Sequence, residues 1–119
     1  METKNKILLI EPDPNISFNI SLALKNSGYE ITDVVPFIFN AINSIEIQKP
    51  DVLMIDALIT TQVSDFILNY LNIPAIIISS QLETEVYQYS EKINILSYLH
   101  KPFNIEMLKV STAIAFNKL

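Results

Sequence analysis

The sequence predicts an α/β fold in which five strands alternate with helices around one mostly parallel sheet. Three observations predict it. Short strand-like runs recur along the 119 residues, at Lys6–Ile10, Tyr29–Val35, Val52–Ile55, Ala75–Ile78 and Ile95–Leu99. Between them apolar residues repeat with helical spacing. Prolines and the single glycine, Gly28, fall at junctions between these segments. Alternation of this kind demands right-handed crossovers and a sheet covered by helices on both faces.

The elements follow in order. Ile7-Leu8-Leu9-Ile10, ending at Glu11, reads as a strand buried on both faces. Asp13-Pro14 is a strong helix start, because the Asp13 carboxylate can cap free backbone N–H groups and Pro14 fits the first turn. Ile16, Ile20, Ala23 and Leu24 then share one helical face, and Gly28 is placed to stop the helix. Tyr29–Val35 is a weaker strand, broken by Pro36. Phe37, Ala41, Ile42 and Ile45 form the stripe of a second helix, which Pro50 ends. Val52–Ile55 leads to Asp56. Ser64 opens a short helix with Phe66, Ile67, Tyr70 and Leu71 on one face, closed by Pro74. Ala75–Ile78 leads to Ser79. Leu82, Val86 and Tyr89 mark a fourth helix, Ile95–Leu99 is the fifth strand, and Asn104 caps a last helix running to about Asn117.

Composition narrows the functions. Half of the residues are hydrophobic and 18% are charged, so a packed core is expected and disorder is not. A chain of this length buries roughly two-thirds of its unfolded surface and fits one domain, residues 1–119. No apolar run reaches membrane-spanning length, and the apolar run before Glu11 is too short for a signal peptide, so a cytoplasmic protein is the simplest reading. There is no cysteine, which excludes disulfides, zinc-thiolate sites and thiol catalysis. The net charge is -5 and every basic residue is a lysine, with no basic stripe for nucleic acid. A single glycine cannot build the glycine-rich loops that cradle nucleotide phosphates.

In open parallel sheets, sites form beyond the carboxyl ends of the strands. The residues there are Glu11 and Asp13, then Asp56, Ser79 and Lys101; the second strand offers nothing comparable. With strand order 2-1-3-4-5, acids from the first and third strands, a hydroxyl and an ammonium would converge on one pocket.

The blocks Ile7–Asn15, Pro50–Asp56, Pro74–Ser80 and Tyr98–Phe103 resemble the signature blocks of response-regulator receiver domains, and the resemblance covers essentially the whole chain. It implies a flavodoxin-like, doubly wound (βα)5 fold of that strand order. It also implies two-component phosphorelay signalling rather than enzymatic turnover. Asp56 would accept a phosphoryl group from a histidine kinase or phosphotransfer protein, and a carboxylate is a competent nucleophile for that. Lys101 would contact the phosphoryl group and Ser79 would follow it as a switch hydroxyl. Tyr98 would change rotamer, and the Lys101–Pro102 bond would be cis. Magnesium would be held by Glu11, Asp13, Asp56 and the backbone carbonyl of Leu58. The face made by the fourth helix, fifth strand and last helix would meet a downstream protein or a second copy. No output domain follows the last helix in these residues.

The sequence departs from the family at several points. Two adjacent acids usually follow the first strand, the second being the direct magnesium ligand; here that place holds Pro12, which has no side-chain oxygen. Glu11 matches the first acid, which acts through water, and Asp13 lies one residue too far along. Opposite unit charges about 4 Å apart attract by about 4 kcal/mol at an effective dielectric of about 20, so losing a carboxylate predicts weak magnesium binding. Thr60 stands where a proline is usual, the connection from Asp56 to Pro74 is short, Ile95-Leu96 stands where glycine-alanine is frequent, and Ser80 replaces an alanine.

Plainer roles compete at individual residues. Asp13 is a good helix cap whatever else it does, Tyr98 is as fit for core packing as for switching, and His100, the only histidine, suits a partly exposed strand position. Phe37, Phe39 and Phe66 read as core. At the level of function, a pseudo-receiver that binds partners or dimerises without phosphate is the alternative, favoured by Pro12. A haloacid-dehalogenase-type phosphatase fits poorly, because Glu11 would be its nucleophile and no cap domain is accommodated. A flavodoxin lacks its flavin loop.

Overall fold

The computed structural model describes residues 4–57, 72–80 and 93–119. Its strands are β1 (Lys6–Ile10), β2 (Glu30–Val35), β3 (Val52–Asp56), β4 (Ala75–Ser79) and β5 (Ile95–His100). Its described helices are α1 (Pro14–Asn26), α2 (Ile38–Gln48) and α3 (Ile105–Asn117). The strands form one parallel sheet in the order β2-β1-β3-β4-β5, as expected for a flavodoxin-like fold. The helices expected around Ser64–Leu71 and Leu82–Tyr89 lie outside the described residues.

The central strands are continuous runs of Ile, Leu, Val and Met because both their faces are covered. Side chains alternate between faces with a period of two. Leu8, Ile10, Leu53, Ile55, Ala75 and Ile77 pack with Ile38 and Ala41 of α2. Ile7, Leu9, Val52, Met54, Ile76 and Ile78 pack with Ile20, Ala23 and Leu24 of α1 and with Leu108 and Ala115 of α3. Each fully buried branched side chain contributes about 1.5–3 kcal/mol relative to exposure. β2 is an edge strand, and only Val35 of its six residues is buried, which explains its weak signal in the sequence.

Two bulges tune the sheet. Between Ile7 and Leu8 of β1 the register with β2 slips by one residue, at Thr32, and the Thr32 hydroxyl donates to the Ile7 carbonyl at 3.3 Å. Between Ala75 and Ile76 of β4 it slips against Leu96 of β5. An extra residue in a ladder leaves backbone groups unpaired. Here the Lys118 ammonium, just past α3, donates to the Leu96 carbonyl at 2.5 Å.

The second helix differs from expectation at its start. It begins at Ile38, with Phe37 as its N-cap, so the buried stripe is Ile38, Ala41 and Ser44, with Ile42 and Ile45 at its margin. Phe37 is 51% exposed and Phe39 74% exposed. These two rings are therefore not core. A start at Ile38 leaves Phe37 outside the helix and turns Phe39 away from the sheet; Phe66 lies outside the described residues. The helix stops one residue before Pro50, at Lys49, which adopts a left-handed φ of 50°. Gly28, with φ 95°, closes α1 as its position predicted. Among the described residues, no helix is long and apolar enough to cross a membrane.

Candidate functional site

Glu11 leaves β1 at its carboxyl end, where its backbone N–H donates to the Val35 carbonyl of β2 at 3.0 Å. Asp56 ends β3 and Ser79 ends β4, one step beyond the Asp56–Ile78 pairing. Lys101 follows β5, and its N–H donates to the Ser79 carbonyl at 2.7 Å. Four sequence-distant residues therefore sit on one rim of the sheet. Glu11, Asp56 and Ser79 are all buried there, at 3%, 4% and 2% exposure.

The Lys101 ammonium joins the two acids. Its Nζ lies 2.6 Å from Asp56 Oδ2 and 2.7 Å from Glu11 Oε1. The second Glu11 oxygen, Oε2, accepts the Asp13 backbone N–H at 3.0 Å. Beyond the ammonium, Glu11 Oε1 meets no hydrogen-bond donor among the described residues. Burial pushes the Glu11 carboxyl above its ordinary value; the Asp13 N–H and the Lys101 ammonium pull it back less strongly, and the Asp56 charge pushes the same way as burial. For Lys101, burial opposes the charged form, but hydrogen bonds to Asp56 and Glu11 and their charges outweigh it. The ammonium pKa stands above its ordinary value.

Asp13 does not join this group. Its Oδ1 accepts the Asn15 and Ile16 N–H groups at 2.9 and 3.3 Å, which caps α1. Leu58 lies outside the described residues. Pro12 contributes no side-chain oxygen. Among the described residues, no group of three or more His, Cys, Asp or Glu side chains is arranged to hold a metal ion. The donors present are two carboxylates already shared with an ammonium. This set does not fit a firmly held magnesium ion, which asks for near-octahedral oxygen ligands.

Tyr98 is half-buried on β5 and packs against the α2-side core. Its ring centroid is 6.3 Å from that of His100, which is exposed at the strand end. The Tyr98 carbonyl accepts the Ser111 hydroxyl at 3.2 Å, and the Ser97 hydroxyl donates to the Ser111 carbonyl at 2.9 Å, fastening β5 to α3. The Lys101–Pro102 bond is cis. Ser80 is exposed and lines a largely apolar cavity of about 840 Å3 between α1 and α3. Ile16, Leu22, Phe103 and Leu108 line it too, and Lys101 reaches its margin.

Solved structures resemble the whole chain. The signal receiver domain of a modulated diguanylate cyclase from Desulfovibrio desulfuricans is 22% identical, with a TM-score of 0.79 over 97% of this chain and 95% of that one. A two-component response regulator from Clostridium difficile is 18% identical, with a TM-score of 0.80 over 97% and 98%. The chain has a receiver-domain fold. A chemotaxis response regulator of Vibrio cholerae, 20% identical, superposes equally well, with a TM-score of 0.79 over 95% of this chain and 99% of that one. No family model matches the sequence, and no curated protein matches it.

Sequence reasoning placed the rim of this receiver fold but missed the direct Glu11–Lys101 contact, since it assigned Glu11 to a water-mediated role. Pro12 was the available signal. With no neighbouring acid to hold a cation, the ammonium is the charge left to compensate Glu11. The apolar cavity between α1 and α3 was also missed. Its lining is assembled from α1, α3 and the loops after β4 and β5, and periodicity within a single helix does not report how such separate elements face one another.

Proposed function

We propose that this chain is a response-regulator receiver of two-component signalling, with Asp56 as its phosphoacceptor. The observation that carries this reading is the Asp56 carboxylate held 2.6 Å from the Lys101 ammonium at the carboxyl end of the sheet. A carboxylate oxygen there can attack the phosphorus of a phosphohistidine on a kinase or phosphotransfer protein. The new O–P bond forms as the N–P bond breaks, and the electron pair returns to the imidazole nitrogen. Lys101 then shifts its hydrogen bond from the carboxylate to a phosphoryl oxygen. The Ser79 hydroxyl on the next strand follows the phosphoryl group, and Tyr98 repacks between Ser79 and the β5–α3 face. That face, altered in shape, engages a downstream protein or a second copy. The protein acts as a cytoplasmic switch rather than as an enzyme.

The test is incubation with acetyl phosphate or phosphoramidate, with and without magnesium, followed by intact mass measurement. A base-labile phosphoryl adduct is expected on the wild type and absent from Asp56→Ala. No adduct under any condition contradicts the reading.

A second reading is favoured by specific observations: Pro12 offers no ligand, and Asp13 is engaged in capping α1. The chain would then be a pseudo-receiver that engages its partner or dimerises without phosphate. Asp56→Ala with undiminished partner binding would support it over the first.

A further inference from the structure

We propose that Lys101 is the resident cation of this site and keeps divalent ions out of the unmodified protein. One nitrogen lies within 2.7 Å of an oxygen from each of the two buried carboxylates, so the pair already shares a positive charge. Two neighbouring carboxylate oxygens are engaged with backbone N–H groups. Glu11 Oε2 takes the Asp13 N–H, and Asp13 Oδ1 caps α1. Pro12 adds no side-chain oxygen beside them. An entering ion would have to expel the ammonium from both acids and shed part of its own water, with no third carboxylate to compensate. Glu11, Asp56 and Lys101 together carry a net charge of about -1, less than three carboxylates and a lysine would present, so the field drawing in a dication is weaker.

This inference stands on the geometry of the unmodified site. It holds whether or not Asp56 accepts a phosphoryl group, and its test uses no phosphodonor, so the two readings fail separately. The experiment is a titration of the 119-residue chain with Mg2+ and, as a paramagnetic probe, Mn2+, followed by amide resonances of Glu11, Asp56 and Lys101. No saturable change is expected in the wild type up to about 10 mM Mg2+, a level at which weak carboxylate sites fill. Lys101→Met, which removes the ammonium and leaves both acids, is expected to gain saturable binding of at least about tenfold higher affinity, equivalent to about 1.4 kcal/mol. Saturable wild-type binding at or below millimolar Mg2+ overturns the proposal, and so does a folded Lys101→Met that binds no better than the wild type. If Lys101→Met does not fold, Pro12→Asp decides. A new carboxylate beside the pair should recruit the ion, and a Pro12→Asp protein that shows no gain overturns the proposal.

Discussion

At Lys101, burial and charge pull in opposite directions, and charge wins because two carboxylates face one ammonium. Removing the ammonium leaves two buried acids uncompensated, a kind of loss that costs about 3–5 kcal/mol in buried pairs. Lys101→Met should therefore be less stable by about 3 kcal/mol, read from urea midpoints at neutral pH. The folded pKa of Lys101 is raised, so its contribution is complete below the ordinary lysine value of about 10.4 and is lost as pH rises through the higher folded value. Wild type should lose stability more steeply than Lys101→Met as pH rises above the ordinary lysine value, as urea melts at several alkaline pH values would show. Glu11 carries the same sign. Its raised pKa favours the fold in acid, and that part is lost as pH rises above the ordinary carboxylate value. Asp13 acts through α1, so Asp13→Ala should cost about 1 kcal/mol in the same melts and leave the Lys101 contacts in place.

Among the elements, α3 locks the far edge of the sheet. Leu108 is fully buried against the β4–β5 side, and Thr112 donates to the Leu108 carbonyl at 2.7 Å. Leu108→Ala should cost about 3 kcal/mol, seen as a lower urea midpoint with unchanged slope. Most of the element pattern was legible in the sequence. β1, β3 and β4 announce themselves because both faces are buried, and Asp13-Pro14 marks the start of α1. The second helix was harder to place. Phe37 and Ile38 are both apolar, so periodicity alone could not say which one enters the core, and the backbone put Phe37 at the cap. The bulge at Leu96 left no sequence signal, because the group that satisfies its carbonyl, Lys118, lies 22 residues away.

At the scale of the whole molecule, the strand order converts separation along the chain into contact. β1 and β3 are neighbours in the sheet, and β5 sits two places beyond β3, yet the Lys101 side chain spans β4 to reach both acids. The convergence of residues 11, 56, 79 and 101 was legible once strand ends were read in order 2-1-3-4-5. What the strand ends could not tell was how the charges pair, since that depends on the positions of individual oxygen and nitrogen atoms. The most direct measurement is the 15Nζ–1H NMR signal of Lys101 at neutral pH. The account predicts a slowly exchanging ammonium, distinct from the solvent-facing lysines, that shifts on both Glu11→Gln and Asp56→Asn. A Lys101 signal averaged with exposed lysines, or one that ignores either substitution, would contradict it.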